Sequence, residues 1–450
     1  MIRLTPRKSS IEDARAAFLL GSNLSCLGAL SGHTTAEASI LRAQSLLRLD
    51  RVNDALVELS ATVPEFGSHR MSAEHRMALA SALSRNGEPD EARRALVEAD
   101  VYATFVREPE LITEVQYYRA SQAYVAQDYA AAETIAKAAL SSNDESPFAA
   151  SKLLCLLAMI KGLRSDPIGQ IETLRLALDS LDRCTNRDIY LEAIILNNIA
   201  IPAAEINPPG VREFLTLRYD TIPWNDENSI WQFHILHQLA WLDALNGDHL
   251  SAFGRFRSAS RIAPSFAWQA LALAGRAYLA REMDERLTAS ECFSDASASI
   301  QKVTWSNSIS SESVSLLMLA SLAAKTDVEA SAAFLKTFES AAVHIDPIRS
   351  AAHADPILAG LEAHAYGLVS IAGSERAKAL MFLRKAYGLF VSVGSTWRAA
   401  VVALDIYDIT HEDDMLVFAR EQAARVPHSW LARRLSQTIP PPVLYKDVVA

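Results

Sequence analysis

Apolar side chains recur along this chain at the three- and four-residue spacing that is typical of α-helices. The pattern is clearest in Trp231–Pro264, where two apolar segments flank the turn-forming sequence Asn246-Gly247-Asp248. The first segment has a stripe at i, i+3 and i+7 and the second at i, i+4 and i+7; the six residues are Phe233, Leu236, Ala240, Ala252, Phe256 and Ala259. Two packed helices are therefore predicted in this stretch.

The ends of these two helices are marked by residues with special backbone properties. Gly247 can adopt a positive φ after the first helix, and Asp248 can cap the second. Pro264 ends the second helix, because a proline cannot donate the hydrogen bond that a further turn needs. The small alanines allow the two helices to approach closely, and Phe256 is predicted to fill the space between them.

The same unit recurs along most of the chain. Each copy has a small residue in its first helix, and successive small residues are 35 to 47 positions apart; they are Ala43, Ala80, Ala120, Ala158, Ala200, Ala240, Gly275, Ala320 and Gly367. Self-similarity at a period of roughly 20 to 50 residues indicates stacked supersecondary units rather than one globular core. A helical repeat array is therefore predicted.

The small residues and the Gly-Asp turns resemble the tetratricopeptide repeat (TPR), whose minimal unit is about 34 residues. The resemblance covers residues 36–426 and implies an all-α fold, a right-handed α-solenoid of about nine or ten stacked antiparallel helix pairs. Residues 1–35 are then predicted to be an N-terminal capping helix region, and residues 427–450 a partly disordered C-terminal tail. A HEAT-like array, with about 40 residues per repeat, is the main alternative.

The composition agrees with an ordered helical protein and excludes some partners. Half of the 450 residues are hydrophobic, whereas only 16 are Gly and 17 are Pro. The formal charge of −10 argues against a broad phosphate-binding surface, so no direct nucleic-acid binding is expected. The four cysteines include no CxxC pair, and we expect free thiols in the cytoplasm. No membrane partner is expected, since no apolar run reaches the ~18 residues of a span.

The N-terminal segment allows two interpretations. Basic residues precede the apolar stretch Ala16–Leu20, as in a secretory signal, but Glu12 and Asp13 interrupt the segment. An amphipathic first helix that is capped near Ser9 or Ser10 is therefore favoured over a weak export signal.

No recognisable catalytic or cofactor motif is present in the sequence, which lacks a phosphate loop, a dinucleotide fingerprint, an HExxH motif and a GxSxG elbow. We therefore expect no enzyme activity, no catalytic residue and no cofactor. His234 and His237 are spaced i, i+3 and could reach one metal ion with His249 as a distant third ligand. No cysteine or acidic residue at suitable spacing joins them, so no metal site is expected.

The resemblance to TPR proteins also implies a binding surface, because the first helices of such arrays line a concave groove. On this basis the candidate groove residues are His234, His237, Trp241, Tyr117, Tyr124 and His364. Two alternatives remain open. The histidine pair could be partly buried imidazoles with hydrogen-bond partners, and Trp241 could equally belong to the core.

The expected function is that of a non-catalytic cytoplasmic scaffold, which binds a protein or peptide, or a small ligand, in its concave groove. A regulatory role is the alternative, because loosely spaced arrays resemble the sensor arms of bacterial LuxR-type transcription regulators. Only 24 residues remain from Pro427 onward, so such a regulator would lack its own DNA-binding domain. 

Overall fold

The computed structural model describes residues 10–62, 68–142, 146–303, 310–324, 327–343, 356–425 and 430–438. Within these ranges all regular secondary structure is helical, and no β-strand is present. The predicted all-α class of stacked helix pairs is confirmed.

The described helices fall into two compact units. The first unit comprises Met1–Ile199 and Thr221–Asn228, and the second comprises Ala200–Asp220 and Ser229–Ala450. The helices up to this boundary are α1 Ile11–Leu19, α2 Asn23–Ala29, α3 Ala36–Arg48, α4 Val52–Ala61, α5 His69–Arg85, α6 Pro89–Val106, α7 Pro109–Val125, α8 Tyr129–Ser142, α9 Pro147–Leu163, α10 Pro167–Asp182 and α11 Ile189–Ile206, the last of which crosses it. Those that follow are α12 Val211–Thr221, α13 Ser229–Leu245, α14 His249–Ile262, α15 Phe266–Glu282, α16 Arg286–Ile300, α17 Ser310–Ala323, α18 Val328–Val343, α19 Pro356–Ala372, α20 Arg376–Ser392, α21 Thr396–Thr410, α22 Asp413–Arg425 and α23 Trp430–Thr438.

Consecutive helices in each unit pack as antiparallel pairs that are joined by turns. The pairs are α1/α2, α3/α4, α5/α6, α7/α8 and α9/α10 in the first unit, and α13/α14, α15/α16, α17/α18, α19/α20 and α21/α22 in the second. The first helices of successive pairs also contact one another, as α3, α5, α7 and α9 do. We call the layer formed by these first helices the inner face of its unit.

Where the structure describes them, the helix ends have the predicted caps and turn conformations. Gly247 has a φ of +82°, a conformation that glycine adopts without strain. The Asp248 side chain accepts a hydrogen bond from the Ser251 backbone N–H at 3.1 Å, as an N-cap does. Ser10 caps α1 in a reciprocal capping box with Asp13. Of the two predicted cap positions, Ser10 holds the cap, and Ser9 lies outside the described residues.

Small residues in the first helices are the positions where a second helix approaches most closely. Phe256 is fully buried, and its Cε1 lies 2.7 Å from the point where a Cβ on Gly275 would stand. The same arrangement recurs later in the chain, where Phe390 Cε1 lies 2.6 Å from the equivalent point at Gly360. Phe256 thus fills the space between α14 and α15, and its ring also packs against Trp241 of its predicted partner helix α13.

Within each unit, helices that are far apart in sequence also make contact. In the first unit, Arg48 Nη2 lies 2.5 Å from Asp188 Oδ2, at a separation of 140 residues. In the second, Trp397 Nε1 donates to the Ala204 carbonyl at 3.0 Å, at a separation of 193 residues. A simple repeat array connects each repeat only to its neighbours. Each unit therefore adds long-range contacts to its stacked helix pairs.

Helix α11 contains a proline, Pro202, and continues through it to Ile206. By length and composition alone, Ile189–Ile206 could cross a membrane, yet 56% of this helix is buried inside the protein. Such burial is typical of the core helix of a folded domain.

The predicted C-terminal tail contains a helix, α23. Its side chains Leu431 and Arg434 are buried, so this part of 427–450 packs against the protein. Residues 439–450 lie outside the described residues.

Candidate functional site

Helix α13 carries three of the six predicted groove residues, and two of them are buried in this structure. His237 is 6% exposed and Trp241 is 3% exposed. The Trp241 ring packs edge-on against Phe256 at 5.2 Å and stacks on Trp397 at 5.6 Å between centroids. His237 and Trp241 are therefore not exposed in a groove as predicted, and Trp241 belongs to the core, which was the alternative for this residue.

Burial also sets the protonation of the two imidazoles. It lowers the pKa of His234 to about 4 and, with smaller contributions from His234 and Arg398, that of His237 to about 3. The His234 ring lies edge-on to Trp268, with 4.3 Å between centroids. His237 Nε2 has no hydrogen-bond partner among the described residues. Both imidazoles are neutral at pH 7, which is the state expected of rings inside an aromatic core.

His364 of α19 is another predicted groove residue of the second unit. It belongs to a buried ionic cluster. Its Nε2 lies 2.8 Å from Asp405 Oδ2, and the other oxygen of Asp405 accepts from Arg434 Nη2 at 2.6 Å. Arg434 Nε also lies 4.0 Å from Glu282 Oε2, and Arg281 Nη2 approaches the other oxygen of Glu282 at 3.2 Å. The cluster thus joins α15, α19, α21 and α23.

The carboxylates of this cluster favour the ionised state of the Arg434 guanidinium. Burial alone would lower the pKa of Arg434, but the carboxylates of Asp405 and Glu282 outweigh it and raise that pKa. The pKa of the neighbouring Tyr278 hydroxyl is raised, mainly by burial. A buried charge is tolerated only when it is paired and hydrogen-bonded, and this cluster meets that condition.

Little space remains at the centre of the inner face of the second unit. A cavity of about 30 Å³ lies between its first helices. The lining residues are Trp241, Tyr278, Met318, Ser321, Leu361, His364, Phe390, Trp397, Arg398 and Val401. A volume of this size holds one or two water molecules at most. In this conformation the second unit offers no room for a ligand here.

The inner face of the first unit, in contrast, is open. A cavity of about 510 Å³ lies between its first helices α1, α3, α5 and α7. We call it the unit 1 cavity; it is lined by Arg15, Glu37, Ile40, Leu41, Gln44, Ser68, Arg70, Met71, Glu74, Met77, Glu114 and Tyr118. Its wall therefore alternates apolar side chains with charged ones.

The charged groups that line the unit 1 cavity form ion pairs. Within α5, Arg70 Nε lies 3.0 Å from Glu74 Oε1. Between helices, Lys152 Nζ of α9 lies 2.7 Å from Glu114 Oε1 of α7. The Lys152 ammonium also stands 4.4 Å from the centroid of the Phe148 ring. Burial raises the pKa of Glu74, whereas Glu114 outweighs burial at Lys152 and raises the pKa of that ammonium.

The two predicted tyrosines of the first unit lie in different surroundings. Tyr118, one residue after the predicted Tyr117, lines the unit 1 cavity. Tyr117 lines a second cavity of about 260 Å³ between α5, α6 and α7. Tyr124 is partly buried against the Ala120 and Ala136 core, and its ring meets Tyr129 edge-on at 5.4 Å. Neither of the two predicted tyrosines lines the unit 1 cavity itself.

The described residues offer no cluster of metal ligands, and their buried cysteines are protonated thiols with raised pKa values. Within the described ranges, no group of three or more His, Cys, Asp or Glu side chains is placed to hold a metal ion. The cysteines Cys26, Cys155 and Cys292 are buried free thiols, and burial raises the pKa of each. A thiol whose pKa is raised is a poor nucleophile at neutral pH.

Comparisons with known proteins find similarity at the level of solved structures only. No protein-family model matches the chain, and no curated protein matches it by sequence. A structure of the APC/C hetero-tetramer Cut9–Hcn1 is 14% identical over 95% of this chain and 89% of that one, with a TM-score of 0.33. Two structures of IFIT1 have TM-scores of 0.47: a monomeric mutant with Gppp-AAAA, 12% identical over 95% of both chains, and the human dimer with m7Gppp-AAAA, 13% identical over 96% and 94%. 

Proposed function

We propose that this protein is a non-catalytic binding scaffold, and that the unit 1 cavity receives a peptide segment of a partner protein. The observation that carries the proposal is an open cavity of about 510 Å³ on the face formed by four successive first helices. Binding pockets commonly have volumes of roughly 300 to 1,000 Å³. 

The lining of the unit 1 cavity suits a peptide that presents both apolar and charged side chains. Met71 and Met77 offer flexible, polarisable surface that adapts to different apolar groups. Arg15 and Arg70 provide guanidinium groups for acidic side chains, and each already faces a glutamate that can receive a basic one. Charged side chains among apolar ones can fix the register of a bound chain by pairing with its own charges.

The absence of enzyme activity is part of the same proposal. Glu74 is paired with Arg70, and Glu114 is paired with Lys152. A general base, in contrast, must be free to accept a proton from the substrate. A small ligand in place of the peptide is an alternative outcome of the test below. The regulator alternative, a LuxR-type sensor arm, has no further support from the structure and is not proposed.

The test fills the cavity and leaves the fold intact. Gln44 is a half-buried residue of α3 that lines the cavity, whereas Val57 of α4 is 70% exposed on the second helix of the same pair. Wild type, Gln44→Trp and the control Val57→Trp are each used to capture partners from native lysate, with quantitative mass spectrometry. We expect a set of proteins that wild type and Val57→Trp retain and Gln44→Trp loses by at least tenfold.

Peptides that tile the captured partner then measure affinity directly by fluorescence anisotropy. A peptide that binds wild type and Gln44→Trp equally would show that the cavity is not the site. A short single-stranded RNA is included as a competing class of ligand, because the IFIT1 structures contain capped RNA. Binding of that RNA, with loss in Gln44→Trp only, would replace the peptide proposal.

A further inference from the structure

Helix α23 does not pack like the next repeat of the array. It contacts its sequence neighbours α21 and α22, but it also contacts α13 and α15. Those two helices span Ser229–Leu245 and Phe266–Glu282, far earlier in the chain. A repeat normally touches only the repeats beside it. Instead, α23 spans several first helices, as a ligand bound to their inner face would.

One side of α23 makes these contacts and the other faces away from them. Leu431 and Arg434 are buried, three residues apart on one face of the helix. Arg433 and Ser436 are exposed. This is the pattern of an amphipathic helix that lies in a groove through anchors at helical spacing.

The groove recognises the arginine through side chains that belong to three of its own helices. Arg434 meets Asp405 of α21 at 2.6 Å and Glu282 of α15 at 4.0 Å. Each carboxylate has a second partner within the groove, since His364 holds Asp405 and Arg281 holds Glu282. Residues outside α23 therefore position both carboxylates, and an arginine of another helix could bind the same two groups.

The helix itself depends on the groove for its structure. It has nine residues, whereas an isolated helix of fewer than ~12 to 15 residues is marginal in water. Its helical structure therefore rests on its contacts with the groove, and a competing helix of the same chemistry would take over those contacts.

We propose that the inner face of the second unit is a helix-binding groove that α23 occupies in cis. A helix of a partner protein binds there in trans by replacing α23. That helix carries an arginine with a leucine three residues before it on one apolar face. This site is separate from the unit 1 cavity, and its test does not depend on the function proposed for that cavity.

The experiment opens the groove in the full-length chain. Arg434→Glu places a carboxylate against Asp405 and Glu282 and so expels α23 by repulsion. Arg433→Glu is the matched control, because it makes the same charge change on the adjacent, exposed residue. The probe is a fluorescein-labelled peptide with the sequence of residues 427–441, and its binding is followed by fluorescence anisotropy.

We expect Arg434→Glu to bind the probe at least tenfold more tightly than wild type or Arg433→Glu, whose grooves are occupied. A probe that itself carries the Arg434→Glu change is expected not to bind any of the three proteins. Equal binding by Arg434→Glu and Arg433→Glu would overturn the proposal. If the wild type forms a dimer that the probe dissociates, the helix bound in trans comes from a second copy of the chain. That result would overturn the proposal that it belongs to a different protein.

Hydrogen exchange in the wild-type protein gives a second and independent readout, which decides the case if Arg434→Glu does not fold. The proposal requires the amides of α23 to exchange at least tenfold faster than those of α21, because α23 must leave while α21 stays. Exchange of both helices at one rate would make α23 an inseparable part of the core and would overturn the proposal.

Discussion

The contact between Phe256 and Gly275 allows a quantitative test of how these helix pairs are held together. Phe256 is fully buried on α14, and a Cβ on Gly275 of α15 would stand 2.7 Å from its ring. Phe256→Ala should lower the free energy of unfolding by about 3–5 kcal/mol, since it removes the ring and leaves a cavity. The second change, Gly275→Ala, places a methyl group where the ring now lies.

The outcome of Gly275→Ala depends on whether the ring is present. Alanine is favoured over glycine inside a helix by about 1 kcal/mol. Against the ring, the added methyl group should cost about 1–3 kcal/mol through overpacking, so that the change is neutral or destabilising. In the Phe256→Ala background the methyl group enters the cavity, and Gly275→Ala should stabilise by about 1 kcal/mol. The two substitutions should therefore couple by about 1–3 kcal/mol.

The assay is hydrogen exchange measured by mass spectrometry on the wild type, both single variants and the double variant. Opening free energies of α14 and α15 are preferable to one global unfolding value, because a chain of this size need not unfold in a single step. Phe266→Ala is the control, because Phe266 is 47% exposed in the wild type. It removes a phenyl ring without leaving a buried cavity. Additive effects of the two substitutions would refute the close contact between the helices.

Three further predictions concern buried polar groups. Burial lowers the folded-state pKa of His237 from 6.5 to about 3, so between these values the unfolded chain binds one proton more than the folded chain. The free energy of unfolding should therefore fall as pH drops from about 6.5 towards 4. His237→Gln should show a flatter dependence of melting temperature on pH. Trp397→Phe removes the hydrogen bond to the Ala204 carbonyl and should lower stability by about 1 kcal/mol, with faster exchange at the end of α11 as the readout. Glu114→Gln leaves the Lys152 cation without its carboxylate, whereas Lys152→Met removes the cation itself. Glu114→Gln should therefore lower the melting temperature more than Lys152→Met. Equal losses would contradict the idea that an unpaired buried cation is the main cost.

The paired helices could be predicted from the sequence because their determinants are local. The i, i+3, i+4 and i+7 spacing of apolar residues fixes which face of each helix is buried. Asp248 at a cap and Gly247 at a positive φ act within one turn of the chain. Phe256 and its small neighbours recur at the repeat period, so even this tertiary contact follows from a pattern that repeats along the chain.

The candidate site could not be predicted to the same degree, because its state depends on contacts between distant segments. Helix α13 is buried from Leu239 to Leu245 without a break, and Trp397, more than 150 positions later, covers Trp241. Periodicity within α13 carries no information about that partner. One signal was present, however. Asp405 stands alone in the apolar run Ala399–Ile406, and a lone acid in a buried stripe indicates an ionic partner.

The contacts that join distant ends within a unit have a consequence for how such a protein can change over evolution. In the second unit, Glu205 near the end of α11 pairs with Arg398 at the start of α21 at 2.8 Å. An open array can gain or lose a repeat at its end, because each repeat depends only on its neighbours. Here a duplicated or deleted helix pair between the two residues would carry Arg398 away from Glu205, and Trp397 from Ala204 with it. The number of repeats in this unit is thereby fixed by geometry, and variation is confined to turns and side chains.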